Sequence, residues 1–149
     1  MLEVAGGRLI GLRVPLPSGL RLTLDTRETS HRMHQNLRLS VVIPCYNEED
    51  GVREVIGRMP GCIDEIVVVD NNCTDRTAEV ATSLGARVVA EKTAGYGAAY
   101  KSGLAAATGD IVITMDGDGT YPPEQVERLV DRLVERQLDF LSASRFPLS

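Results

Sequence analysis

The chain has 149 residues, 43% of them apolar and 25% charged, with no Trp and a formal net charge of −5. This composition fits an ordinary globular fold, and an acidic chain without a clustered basic face argues against a dedicated nucleic-acid binder. No run of about 18 apolar residues occurs, so no helix is expected to span a membrane. The opening stretch, broken by Gly, Arg and Pro, is not expected to be a secretory leader.

Residues 1–36 differ in pattern from the rest of the chain. "GRLIGLRVPLPSGLRLTLDT" alternates in short apolar patches around "PSG" and predicts a small hairpin arm, and "RETSHRMHQN" reads as a polar linker. His31 and His34 lie in that linker with no Cys or carboxylate constellation, which favours surface residues over a metal site. Cys45, Cys62 and Cys73 form no C-x-x-C pair, so reduced thiols in a cytosolic setting are expected rather than a disulfide framework.

From Leu37 to Ser149 the pattern becomes regular. The apolar runs "LRLSVVIPCY", "IDEIVVVD", "ARVVAE", "DIVITMD" and "LDFLSAS" predict five strands, and their continuity predicts burial on both faces. Between them lie helical patterns. "NEEDGVREVIGRM" opens with an Asn suited to capping and with acids at the positive helix end. "TDRTAEVATSLG" begins at a capping Thr or Asp and stops at Gly85, and "GYGAAYKSGLAAATG" is rich in Ala. "PPEQVERLVDRLVERQ" carries one stripe, Val126, Leu129, Val130, Leu133 and Val134. Strands alternating with helices imply right-handed βαβ units, hence an α/β fold with a mainly parallel sheet and flanking helices.

Ligands of such sheets bind beyond the carboxyl ends of the strands. Those ends carry Pro44, Tyr46, Asn47 and Glu48; Asp70, Asn71 and Asn72; Asp116, Gly117 and Asp118; and Ser144 and Arg145. Asp116 and Asp118 are the sharpest signal. Two carboxylates in a glycine-flanked turn can approach one hard cation, and Mg²⁺ or Mn²⁺ commonly takes one or two carboxylates plus substrate phosphates. Solvated acids in a turn are the alternative. No Walker A pattern, no nucleophile elbow and no complete G-x-G-x-x-G after a strand is present, although Gly95 and Gly97 tempt. Cys45 ends a strand but has no histidine to activate it, which favours a small buried thiol.

In order and spacing, "SVVIPCYNEED", "IVVVDNNCTDRT", "GYGAAYKSGLAAATGDIVITMDGDGTYPPE" and "DFLSASRF" resemble the family-2 glycosyltransferases of the GT-A fold, above all the dolichol- or polyprenyl-phosphate mannosyl- and glucosyltransferase-like group. The resemblance covers about residues 37–149 and implies an incomplete GT-A domain, its N-terminal, donor-binding half. It implies a nucleotide-diphosphate sugar donor, a lipid-phosphate acceptor at a membrane surface, and Mg²⁺ or Mn²⁺ held by Asp116 and Asp118. By the same resemblance Pro44, Tyr46, Glu48 and Asp70 line the nucleotide site, Lys101 lies in a segment facing the donor, and Arg145 sits near the phosphates. Asp118 and Arg145 would be catalytic. Without the resemblance Pro44 is a strand end, Lys101 a solvated helix residue and Arg145 a surface charge. Asn71 stands where an acid is usual, which puts nucleotide contacts in question. The implied place is the cytoplasm or the cytoplasmic face of a membrane, with a partner chain completing the fold. Two rivals are a non-catalytic nucleotide-sugar-binding module and a sugar-1-phosphate nucleotidyltransferase, whose Gly-rich signature is absent.

Overall fold

The computed structural model of the protein describes residues 36–143. The expected hairpin and Arg145 lie outside the described residues. Two compact units are distinguished, Leu37–Glu127 and a second to which residues 128–143 belong.

The first unit is a four-stranded, all-parallel sheet in the order β3-β2-β1-β4. Its strands are β1 (Leu39–Cys45), β2 (Glu65–Asp70), β3 (Arg87–Ala90) and β4 (Ile111–Thr114). Helices α1 (Glu49–Gly57), α2 (Thr77–Ser83) and α3 (Tyr96–Ala106) connect them in turn. α1 and α2 belong to steps in one direction across the sheet. α3 belongs to the return step past β2 and β1, so right-handed crossovers put it on the opposite face.

β1 is central and every one of its residues is buried. That is why its sequence is an unbroken apolar run rather than an alternating one. In register, Val42 stands beside Val67 and Pro44 beside Val69. Val42, Val67 and Val69 form one buried cluster with Ala99 of α3. α3 lies so close to the sheet that a Cβ on Gly103 would come within 2.3 Å of Val42 Cγ1 and 2.8 Å of Val69 Cγ2. α1 buries Val52, Val55 and Ile56, a single helical stripe.

Two expectations are corrected. β3 and β4 are not buried on both faces: they end the described sheet, and along β4 half-buried Ile111 and Ile113 alternate with exposed Val112 and Thr114. A strand with a neighbour on one side has less to cover it. Residues 138–143, expected as a fifth strand, carry no strand, because an extended segment becomes one only by pairing and no ladder forms there among the described residues.

Helix α4 (Val126–Glu135) begins in the last two residues of the first unit, and in the second it buries Val130 and Val134. It stops at Gln137, which takes the left-handed conformation (φ 52°) usual for glycine, with Leu138 N–H bonded to the Leu133 carbonyl at 2.9 Å.

Candidate active site

The chain leaves β1 through Tyr46, Asn47 and Glu48. Asn47, expected to cap α1, does not, since the helix begins at Glu49 with no side-chain cap. The Asn47 side chain instead reaches the loop after β2, accepting from Thr74 N–H at 2.7 Å, and its φ of 55° turns the backbone toward that loop. The two helix starts then satisfy one another. Glu48 N–H donates to Thr77 Oγ1 at 2.9 Å and Glu49 N–H to Asp75 Oδ2 at 3.1 Å, while Asp75 Oδ1 accepts from Thr77 N–H at 3.0 Å. Orphan donors of a helix end need such partners; for α1 they come from the first residue of α2 and the loop before it.

Asp70 ends β2 and accepts from Cys73 N–H at 2.8 Å, closing a tight turn. Asn71 is buried, and its whole amide is used. Its Nδ2 donates to the carbonyls of Glu91 at 2.9 Å and Thr93 at 2.7 Å, and its Oδ1 accepts from Gly95 N–H at 2.9 Å. The side chain therefore pins the β3–α3 loop to the end of β2. Gly95, with φ 127°, then starts α3 in a backbone conformation that side chains rarely adopt.

Between these loops opens a cavity of about 600 Å³, lined among others by Pro44, Tyr46, Asn72, Lys92 and Tyr96. Pro44 and Tyr46 both line this one cavity. Asp70, Glu48 and Lys101 are not among its lining residues, and Lys101 is exposed on α3.

β4 delivers Asp116 and Asp118. α1 packs directly on this loop: a Cβ on Gly51 would fall 2.2 Å from the Gly117 carbonyl oxygen, and one on Gly117 2.8 Å from Cys45 Sγ. Asp118 Oδ1 accepts from the backbone N–H and hydroxyl of Thr120 at 2.8 and 2.7 Å. Asp116 Oδ1 lies 2.5 Å from the Tyr96 hydroxyl, which lies 2.9 Å from that of Tyr100. Glu48 senses the same charge: burial first, then Asp118, Asp75 and Asp116, push its carboxyl above the ordinary range. Burial pushes the Cys45 thiol far up, with neighbouring Cys73 and Glu48 adding to it, which fits an inert core thiol.

Among the described residues no three His, Cys, Asp or Glu side chains converge tightly enough to hold a metal ion alone. Two hard oxygen donors two residues apart, near enough to Glu48 to add to the effect of burial on its carboxyl, nonetheless fit Mg²⁺ or Mn²⁺ with phosphate oxygens completing the shell. No described helix is long and apolar enough to cross a membrane.

Lys92 and Tyr96 are not among the residues to which the sequence points. Lys92 is within reach of sequence reasoning, because it directly follows the β3 run, but that strand end carries no acid pair to mark it. Tyr96 is not, because its meeting with Asp116 depends on how α3 is rotated on the sheet.

The model of the family described as Glycosyl transferase family 2 matches residues 40–147. An uncharacterized glycosyltransferase of Mycobacterium tuberculosis is 40% identical over 111 residues, 74% of this chain and 50% of its own length. The dolichyl-phosphate hexose transferase of Haloferax volcanii is 36% identical over 110 residues, 72% of this chain and 47% of its own. The crystal structure of glucosyl-3-phosphoglycerate synthase from Mycobacterium tuberculosis with Mn²⁺, UDP and glucosyl-3-phosphoglycerate is 34% identical, with a TM-score of 0.62 over 70% of this chain and 42% of that one. The chain thus spans about half the length of these proteins.

Proposed function

Because the chain belongs to glycosyl transferase family 2, we propose that it binds a nucleotide-diphosphate sugar and serves the transfer of that sugar to a polyprenyl or dolichyl phosphate. The observation that carries this is a cavity lined by Pro44, Tyr46 and Tyr96 whose Tyr96 hydroxyl reaches Asp116 of the Asp116–Gly117–Asp118 loop. The loop follows β4 where β1 and β4 are neighbours but their connections diverge, the usual place for a ligand of such a sheet.

In this reading the cavity takes the nucleoside, with Tyr46 offering an exposed ring face and Lys92 a positive charge at the wall. Glu48 and Asp70 are proposed donor-side contacts around it, and Arg145 a contact of the phosphates. Asp116 and Asp118 hold a divalent cation together with the diphosphate. When bound, that cation neutralises charge on the departing nucleoside diphosphate. Two hydrogen bonds from Thr120 orient the Asp118 carboxylate in advance, which reduces the reorganisation needed when charge develops nearby. An acceptor phosphate is already ionised at neutral pH. Its oxygen forms the new bond to the sugar carbon as the bond to the diphosphate breaks, and no general base is required. The relative named a dolichyl-phosphate hexose transferase supports this acceptor class, and the neighbour crystallised with Mn²⁺ and UDP supports the metal and the donor type. A lipid phosphate would bring the chain to the cytoplasmic face of a membrane.

Calorimetric titration of the chain with UDP-glucose, GDP-mannose and the free diphosphates, in Mn²⁺ and then EDTA, tests the reading. Metal-dependent binding of one nucleotide class is expected. Equal affinity with and without Mn²⁺ would sink it. Adding polyprenyl phosphate to a chain that binds donor then separates turnover from donor binding alone.

A further inference from the structure

Tyr96 stands in two places at once. Its ring lines the cavity with Tyr46 and Lys92, and its hydroxyl reaches Asp116 Oδ1. We propose that Tyr96 is the positioning residue that sets the Asp116 carboxylate for a divalent cation, and so couples the nucleoside side of the site to its metal side. The inference rests on the donor-site reading given above.

The two carboxylates are supported differently. Asp118 is held by its own loop, through the backbone and hydroxyl of Thr120. Asp116 is held from another element: among the described residues its side chain takes one hydrogen bond, from Tyr96 of α3. A phenol has one proton to give. With the carboxylate accepting it, the Tyr100 hydroxyl donates in turn to the Tyr96 oxygen at 2.9 Å, and the two rings meet edge-on with centroids 4.5 Å apart. A carboxylate offers about four acceptor sites on two oxygens, so donation to Oδ1 leaves Oδ2 for a cation. Hydrogen-bonded partners of this kind orient metal ligands and tune their affinity.

The position of Tyr96 is itself built. The preceding residue, Gly95, has φ 127° and its N–H is held by Asn71 Oδ1 at 2.9 Å. A continuous line thus runs from the end of β2 through Asn71, Gly95 and Tyr96 to the end of β4. Nothing in packing demands the hydroxyl, since Tyr96 is 60% exposed.

Tyr96→Phe keeps the ring and removes only the hydroxyl. The test is a Mn²⁺ titration followed by electron paramagnetic resonance on the full chain, with UDP and with GDP, beside nucleotide titrations in EDTA. The expected result is unchanged diphosphate affinity in EDTA and Mn²⁺ affinity lowered about 10-fold. Tyr100→Phe should lower it by a smaller factor. A Tyr96→Phe variant whose Mn²⁺ affinity stays within about twofold of the parent overturns the inference and leaves the donor site standing. A parent chain with no Mn²⁺ dependence for either diphosphate overturns the donor-site reading itself, before any variant is made, and this inference with it.

Discussion

An amide at position 71 does what a carboxylate there does not: it donates twice and accepts once from a single buried side chain. Asn71 thereby satisfies the carbonyls of Glu91 and Thr93 and the N–H of Gly95. It thus ties the β3–α3 loop to the end of β2 at the wall of the cavity. Asn71→Ala leaves three backbone groups without their partner and should cost about 1–3 kcal/mol, read as a lowered urea midpoint. Nucleotide affinity should fall with it, because Lys92 and Tyr96 flank the loosened segment. Asp118 differs in kind, with an exposed carboxylate tied to Thr120. Asp118→Ala should leave the urea midpoint within about 0.5 kcal/mol of the parent, as surface changes usually do, while the Mn²⁺-dependent part of nucleotide binding disappears. Unchanged calorimetric titrations with and without Mn²⁺ would contradict the assignment.

Between elements, the close approaches are made by glycines. Gly51 lets the first turn of α1 rest on the Gly117 carbonyl, and Gly103 lets α3 settle on Val42 and Val69. Gly51→Ala introduces a Cβ 2.2 Å from a backbone oxygen, so either α1 or the Asp116–Asp118 loop must move. A cost of about 1–3 kcal/mol is expected from overpacking, together with weaker Mn²⁺-dependent nucleotide binding even where the variant remains folded by circular dichroism. At this scale the sequence was only partly legible. Strand and helix existence followed from apolar runs and stripes, because β1 is buried throughout and α1 shows Val52, Val55 and Ile56 at helical spacing. The caps did not follow. Asn47 looks like a local cap but spends its side chain on the loop after β2, and Asp75 serves both its own Thr77 and Glu49 at the start of α1.

For the whole molecule, the edge of the sheet opposite the site is the fastening. Burial raises the Glu65 carboxyl, but the Ser40 hydroxyl, the Thr108 backbone and hydroxyl and the Arg87 guanidinium outweigh it and bring its pKa down to about 2. A carboxyl lowered on folding stabilises fully above its unfolded value, near 4.5, and loses that contribution as pH falls toward about 2. Glu65→Gln should therefore lower stability on the order of 2–3 kcal/mol at pH 7, a difference that shrinks steadily in urea melts taken from pH 4.5 to pH 2. The parallel architecture and Asp116 and Asp118 at the end of β4 were readable from spacing alone. That β4 has one neighbour among the described residues was not, because an apolar run does not say how many neighbours a strand will have. The strand order carries one more consequence. Leu39 pairs with Ile111, so the central strand waits for the last one while everything between is threaded in first. During synthesis from the N-terminus β1, β2 and β3 can assemble early, but Asp116 and Asp118 arrive only when β4 closes this long-range pair, a slow step by the entropy of its loop. The nascent chain thus acquires its scaffold before its chemistry, and ribosome-bound chains arrested ahead of Ile111 should resist protease across β1 and β2 while binding no nucleotide.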